Sequence, residues 1–330
     1  MLITAWNCTA FQLTKISNID PAIQPDLDDP DDPGVSETVE YGGLRANLNR
    51  EGWSLMGLVR ITSVVLASIP IISLQYVMVR ASKRHWWHFA GLWHRTMARI
   101  VGMDVKVTGV ERNKGATLFA ANHISWLDIL ILGGHIPNAS FIAKSEVAGW
   151  GMLGSLCGLH KTEFVNRARR TDSARQRDAL AERVKEGHSL ILFPEGTNTS
   201  GVHLAPFKSA LFSVAERAAA HRDEPLFVQP ITLAYTEVNG MPLVRSQKPW
   251  VAWLGDVELF AHLRQLLTRA KIVVTVEFHE PITLQEAGCR KDLARYCQAQ
   301  IASGLERAHR AEMRLGPARS ASDVEISQHA

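Results

Sequence analysis

A histidine and an aspartate, His123 and Asp128, stand five positions apart in the segment ANHISWLD. An imidazole can act as a general base near neutral pH, and a carboxylate bonded to one ring nitrogen fixes the other nitrogen as the base. The pair could therefore remove a proton from a hydroxyl group. With 13 histidines in the chain, the spacing also fits a hydrogen-bonded histidine at the start of a packed helix.

A second segment that could take part in chemistry is FPEGT, residues 193–197, which follows the apolar run SLIL. A glycine turn directly after a buried strand can leave backbone N–H groups open to hold developing negative charge. Glu195, Gly196 and Thr197 are therefore candidate substrate-binding residues.

Two cations accompany these segments. Arg167 ends a short edge-like strand, and Lys208 stands where a predicted helix begins, a position that favours an anion. Single arginines and lysines are more often solvated surface charges. No second histidine pair at helical spacing lies near His123, so we expect no metal site.

Residues 101–315 are expected to form one α/β domain, a mixed sheet with flanking helices. Short apolar runs with strand periodicity alternate there with longer amphipathic runs of helical periodicity. The active-site candidates then lie just after strands. Strands are predicted at 105–110, 116–120, 139–143, 189–193, 226–235 and 271–279, and helices at 125–133, 173–187, 207–220, 260–270 and 290–313.

Residues 61–79 are 19 consecutive uncharged residues, which as a helix would span about 28 Å, the lower limit for crossing a bilayer. Pro70 lies at the centre, and basic residues flank both ends. A kinked segment that enters one leaflet and returns fits both observations, with Trp53, Trp86 and Trp87 as membrane-anchoring residues at the interface. An apolar helix pair buried in the core is the alternative.

The remaining regions and the composition limit the other possibilities. Residues 1–50 contain an Asp- and Pro-rich stretch and are expected to be a disordered extension, residues 51–100 the membrane-associated segment, and residues 316–330 a flexible tail. The net charge is +3, with interspersed charges and no continuous basic face, so we expect no nucleic-acid partner.

Four segments together resemble a known family. They are NHxSxxD at 122–128, FVxR at 164–167, FPEGT at 193–197 and VxPI at 228–231. In order and spacing they are similar to the four motif blocks of the membrane glycerolipid acyltransferases, which include the bacterial lysophosphatidate acyltransferases. The resemblance covers roughly residues 50 to 300.

The resemblance implies a mechanism and a location. His123 would remove a proton from the hydroxyl of a lyso-lipid, which attacks the thioester of acyl-CoA or acyl carrier protein without an acyl-enzyme, and Arg167 would help to hold a phosphate. No cofactor is implied beyond that co-substrate. An N-terminal two-helix element would lie in one leaflet, at the cytoplasmic face of a bacterial inner membrane.

Two acceptor lipids fit the sequence. The expected acceptor is 1-acyl-sn-glycerol-3-phosphate, giving phosphatidic acid in phospholipid biosynthesis, but relatives that use it usually carry arginine or lysine where this chain has Asn198. The segments FIAKSEV, PFKSALF and WLGD resemble a proteobacterial branch with lyso-ornithine lipid acyltransferases. Lyso-ornithine lipid is therefore the alternative acceptor. The alternative functions are a non-catalytic lipid-binding protein and an acyl hydrolase.

Overall fold

The computed structural model describes most of the chain between the two termini. It covers residues 54–82, 85–165, 170–219, 225–254, 257–268 and 271–314. The predicted N-terminal extension, Trp53, Arg167 and the predicted C-terminal tail lie outside the described residues.

A nine-stranded mixed sheet forms the centre of the described structure. The strands are β1 Met103–Gly109, β2 Thr117–Ala121, β3 Ala139–Lys144, β4 Glu163–Val165, β5 Ser189–Leu192, β6 Phe227–Val238, β7 Met241–Pro242, β8 Ile272–Phe278 and β9 Ile282–Thr283. Their order is β1-β8-β6-β2-β5-β3-β4, with the short strands β7 and β9 paired to β6. All neighbours along the main order are parallel except β6 and β8, which are antiparallel.

Helices cover both faces of the sheet, so that the central strands β2 and β5 are buried along their whole length. Continuous apolar strands are what a parallel sheet covered on both sides requires. The helices are α1 Leu55–Ala81, α2 Trp87–Val101, α3 Leu127–His135, α4 Met152–Leu159, α5 Arg170–Lys185, α6 Ser213–Ala219, α7 Leu259–Leu267, α8 Leu284–Ala287 and α9 Arg290–Arg314.

Two apolar clusters, one on each face, hold these layers together. Residues of α2, α3 and α7 pack on one face of the sheet, and residues of α5, α6 and α9 pack on the other. The predicted mixed α/β sheet with flanking helices is confirmed. The predicted helix at 207–220 begins as a 3-10 turn, Ser209–Phe212, before α6. The short helices α4 and α8 were not predicted.

The N-terminal hairpin forms, but its turn is not at Pro70. The helix α1 runs through Pro70 without a break, and the chain reverses between Ala81 and Trp87. The hydroxyl of Ser68 accepts a hydrogen bond from Trp93 Nε1 (2.9 Å) across the two antiparallel helices. The prediction of a kink that returns within residues 61–79 is therefore wrong. Here the proline removes one helical hydrogen bond without ending the helix.

The two helices of the hairpin have different surroundings. In the described residues, α1 is the one helix long and apolar enough to cross a membrane, and large side chains such as Leu66 (65% exposed) and Ile69 (62% exposed) cover its outer face. By contrast, α2 packs into the core beside α3. The alternative of a helix pair buried in the core thus holds for α2 and fails for α1.

The predicted interfacial tryptophans do not behave alike. Trp86 is completely buried, with its ring edge against His160, because it fills the space where the hairpin meets the α/β domain. Its predicted membrane-anchoring role does not fit this position. Trp87 is half-buried and stacks on His88.

Candidate active site

The candidate residues meet at one edge of the sheet because β2 and β5 are parallel neighbours. Asn122 and His123 follow the end of β2, and Phe193 follows the end of β5. The carboxyl ends of parallel strands are where ligands commonly bind in such folds. The side-chain amide of Asn122 is fully used by the scaffold, since it pairs with both the N–H and the carbonyl of Leu233 on β6.

His123 and Asp128 form the pair that their spacing predicts. His123 Nδ1 lies 2.9 Å from Asp128 Oδ2. A carboxylate can only accept, so Nδ1 carries the proton and Nε2 is left as the basic nitrogen. The imidazole is partly accessible, with 17% of the side chain exposed, whereas Asp128 is completely buried. The arrangement can therefore take a proton from a hydroxyl bound beside Nε2.

The buried carboxylate of Asp128 is held by more than the histidine. Its Oδ2 also accepts the backbone N–H groups of Ile124 (2.7 Å) and Ser125 (2.9 Å) in the turn that leads into α3. Its Oδ1 accepts the phenol of Tyr235 (2.7 Å) from β6. Burial, and then the charge of Asp128, raise the pKa of Tyr235 well above its usual value, so the phenol stays protonated and donates.

Phe193 fixes the plane of the imidazole. Its ring stacks on His123 with centroids 4.0 Å apart and an angle of 15° between the planes. Phe141 continues the stack behind Phe193, at 6.2 Å. The histidine is thus held by a hydrogen bond at one ring atom and by an apolar surface along one face.

Glu195 faces the interior of the protein. It is almost completely buried, and its two oxygens accept the N–H groups of His123 (2.8 Å) and Ala205 (2.8 Å). Burial raises the pKa of Glu195 to about 7, although these two hydrogen bonds oppose the shift. The predicted substrate-binding residue therefore lies where it joins the loop after β5 to the backbone of the base.

The turn after Glu195 is formed as its glycine requires, with Gly196 at a φ of 72°. The N–H of Gly196 donates to the carbonyl of Phe193 (3.1 Å), so it is not open to hold negative charge as predicted. Thr197 is exposed beside it. Lys208 is also exposed, and its backbone N–H donates to the carbonyl of Pro194 (3.0 Å), which brings it to the same turn.

The loop beyond this turn is bonded to the backbone of His123. The N–H of Thr199 donates to the carbonyl of His123 (2.8 Å). The side-chain amide of Asn198 donates to the carbonyl of Trp253 (2.9 Å). Asn198 thus holds two loops together.

Comparison with known proteins identifies the family. A family model described as Acyltransferase matches residues 104–234, which span both candidate segments. The lyso-ornithine lipid O-acyltransferase of Brucella abortus (strain 2308) is 36% identical over 259 residues, covering 77% of this chain and 97% of the relative. The chain belongs to the acyltransferase family.

Other acyltransferases are also similar to this enzyme. The 1-acyl-sn-glycerol-3-phosphate acyltransferase of Neisseria meningitidis serogroup B is 35% identical over 178 residues, covering 54% of this chain and 64% of the relative. The crystal structure of the 1-acyl-sn-glycerophosphate (LPA) acyltransferase, PlsC, from Thermotoga maritima has a TM-score of 0.54 at 19% identity. It covers 81% of this chain and 97% of that one, which shows a shared fold.

Two residues of the candidate site have contacts that the sequence did not indicate. Tyr235 approaches Asp128 from β6, more than one hundred positions along the chain. Phe193 belongs to a candidate segment, but its stacking on His123 depends on the pairing of β2 with β5. The alternation along β6 places Tyr235 on the same face as Leu233, and this was the one available signal.

Proposed function

We propose that the enzyme transfers a fatty acyl group from a thioester to the hydroxyl of a lyso-lipid, with His123 as general base and Asp128 as its orienting carboxylate. The observation that carries the proposal is the hydrogen bond from His123 Nδ1 to the buried Asp128, which leaves Nε2 as the base. Its accessible position at the carboxyl ends of β2 and β5 supports a lipid hydroxyl as the proton donor.

The chemical step follows from this geometry. Nε2 of His123 takes the hydroxyl proton as the lipid oxygen attacks the thioester carbonyl carbon. The new C–O bond forms, the C–S bond breaks, and the imidazolium returns the proton to the departing thiolate. The donor is the thioester of acyl-CoA or acyl carrier protein, and no cofactor takes part.

For the acceptor, a lyso-ornithine lipid is favoured over lysophosphatidate, the reverse of the order expected from the sequence. The Brucella relative, 97% of which is matched by this chain, is a lyso-ornithine lipid O-acyltransferase by name. Asn198 supports the same choice, since its amide is bonded to Trp253 and adds no cation for a phosphate. Lysophosphatidate remains the second candidate because of the similar Neisseria enzyme and the exposed Lys208.

A lipid acceptor implies that the enzyme works at a membrane surface, and the exposed apolar side chains of α1 support this location. Its exposed apolar face would lie in a bilayer, while α2 joins it to the catalytic domain. Basic residues at both ends of the apolar segment fit a helix lying in one leaflet on the cytoplasmic side of a bacterial inner membrane. A crossing helix is the alternative that labelling of its two ends would distinguish.

The test is acyl transfer by membranes that contain the protein. Labelled acyl-CoA or acyl carrier protein is supplied with lyso-ornithine lipid in one reaction and lysophosphatidate in another. We expect a diacylated product, and we expect His123→Ala to abolish it while the protein still sediments with membranes. His85→Ala, at an exposed histidine outside the site, is the matched control and should retain activity.

Each other outcome assigns a different function. Near-normal turnover by His123→Ala would reject the general-base mechanism. Free fatty acid released without an acceptor would indicate a hydrolase, and lipid binding without turnover by the intact protein would indicate a non-catalytic lipid-binding protein.

A further inference from the structure

Tyr235 reaches the catalytic pair from a different part of the fold than the turn that carries His123. It stands near the end of β6, where a bulge between Tyr235 and Glu237 interrupts the pairing with β8. Bulges in strands often redirect a side chain beside an active site. Here the phenol is buried in the apolar cluster formed with α3, within 2.7 Å of Asp128 Oδ1.

The two oxygens of Asp128 have separate partners. Oδ2 receives His123 and two backbone N–H groups, whereas Tyr235 is the one partner of Oδ1 among the described residues. Together with the three contacts of Oδ2, the phenol fixes the rotation of the carboxylate about its last bond. It also draws negative charge toward Oδ1, away from the oxygen that faces the imidazole.

We propose that Tyr235 is a positioning residue of this acyltransferase, which acts through Asp128 to orient His123 and to set the pH at which His123 becomes an active base. The proposal rests on the proposed function. Because Tyr235 is buried behind Asp128, it touches no substrate.

The charged groups around the pair do not supply the same interaction. Glu195, whose pKa burial raises to about 7, comes from the turn after β5 and accepts the backbone N–H of His123, so its titration is common to every variant at position 235. Lys248 is buried in the 3-10 helix Arg245–Trp250, and its ammonium donates to the backbone carbonyl of Tyr235 (2.8 Å). Neither contact involves Oδ1 of Asp128, so removing the phenol changes that oxygen specifically.

The first test is Tyr235→Phe, with kcat/KM measured as a function of pH. Without the phenol, the carboxylate stabilises the imidazolium more strongly, so His123 loses its proton at higher pH. We expect the acid limb of the profile to move up by roughly half a pH unit, and kcat to fall about tenfold as the base becomes less well oriented. Tyr296→Phe is the control, because that phenol bonds to the carbonyl of Glu280 far from the site.

A second variant tests the sign of the effect without removing the hydroxyl. Replacing Tyr235 by 3-fluorotyrosine gives a more acidic phenol, which is a stronger donor to the carboxylate. The acid limb should then move to lower pH. A residue that only fills space would not move the limb in opposite directions in the two variants, and the fluorinated protein keeps the test decisive if Tyr235→Phe does not fold.

The two proposals fail differently. Absence of acyl transfer by the unmodified enzyme with either acceptor would reject the proposed function. An active enzyme whose pH profile is the same with tyrosine, phenylalanine and fluorotyrosine at position 235 would reject the positioning role alone.

Discussion

At the scale of single residues, Asp128 is the group with the least freedom. It is completely buried and accepts hydrogen bonds from His123, two backbone N–H groups and Tyr235. The side chain at this position must accept a hydrogen bond from each of these four donors. An amide of the same shape cannot do so, because half of it donates.

We therefore predict that Asp128→Asn lowers kcat/KM by about 10³-fold or more. The amide favours the wrong tautomer of His123, and its NH2 group faces partners that also donate. Steady-state kinetics on the folded variant measure this loss. Asp104→Asn, at an exposed carboxylate paired with Lys271, is the control and should keep normal rates. An unchanged rate in Asp128→Asn would reduce Asp128 to a helix-capping residue.

The sequence alone predicted the pair but not all of its surroundings. The contact of His123 with Asp128 is local, within one turn, so spacing was sufficient to predict it. The roles of Glu195 and Gly196 depend on where the loop after β5 folds back, which short-range patterns do not determine. A glutamate in a motif looks the same whether it faces a substrate or the backbone.

At the scale of elements, a hydrogen bond to the neutral side chain of His262 connects α7 to the turn between β2 and α3. Trp126, which precedes α3, donates from Nε1 to His262 Nδ1 on α7 (3.0 Å). Burial lowers the pKa of His262 to about 4. Nδ1 must remain unprotonated to accept this hydrogen bond, so protonation of the ring in acid would break it.

This arrangement predicts a pH-dependent stability. The pKa of His262 is lower in the folded than in the unfolded chain, so its contribution is complete above pH 6.5 and is lost as the pH falls toward 4. His262→Asn keeps an acceptor for Trp126 without titrating. Its free energy of unfolding, measured by denaturant titration, should fall less between pH 8 and pH 5 than that of the unmodified enzyme, by up to about 1.4 kcal/mol for each pH unit below 6.5.

The control for this measurement is His85→Asn, at an exposed histidine, which should lose stability in acid as the unmodified enzyme does. An identical acid response in His262→Asn and in the unmodified enzyme would contradict the assignment.

Elements with a strong period were predicted well, while the hairpin shows what such patterns omit. The sheet strands and α9 followed their apolar periodicity closely. The sequence predicts the turn of the hairpin at Pro70, because the effect of a proline on a helix is local and visible in sequence. The actual reversal between Ala81 and Trp87 is fixed by packing of α2 against α3, a long-range contact.

At the scale of the whole molecule, a folded α/β domain carries one apolar helix on its outside. We predict that Leu66→Glu combined with Ile69→Glu, one turn apart on the exposed face of α1, moves the protein from the membrane to the soluble fraction. Each charge placed within a bilayer costs about 3 kcal/mol. Sedimentation with membranes measures the shift.

The matched control is Val107→Glu, which places the same charge at an exposed valine of β1 and should leave membrane association unchanged. Sedimentation of the double variant with membranes at the normal level would reject contact between α1 and the bilayer. Substitutions are sharper here than deletion of residues 51–95, which would also remove buried residues of α2.

The buried amide of Gln75 has a consequence for the lipid phase around the enzyme. It donates to the carbonyls of Trp86 and Leu159 and accepts the N–H of Ala90, so α1 cannot slide along its axis relative to the catalytic domain. With α1 in one leaflet, as proposed, the depth at which α1 lies in the lipid fixes the height of the active site above the membrane surface. With α1 crossing the bilayer, hydrophobic mismatch would have to be met by tilting the whole enzyme or by deforming the lipid. Turnover that varies with the chain length of the bulk phospholipids would therefore indicate the crossing arrangement.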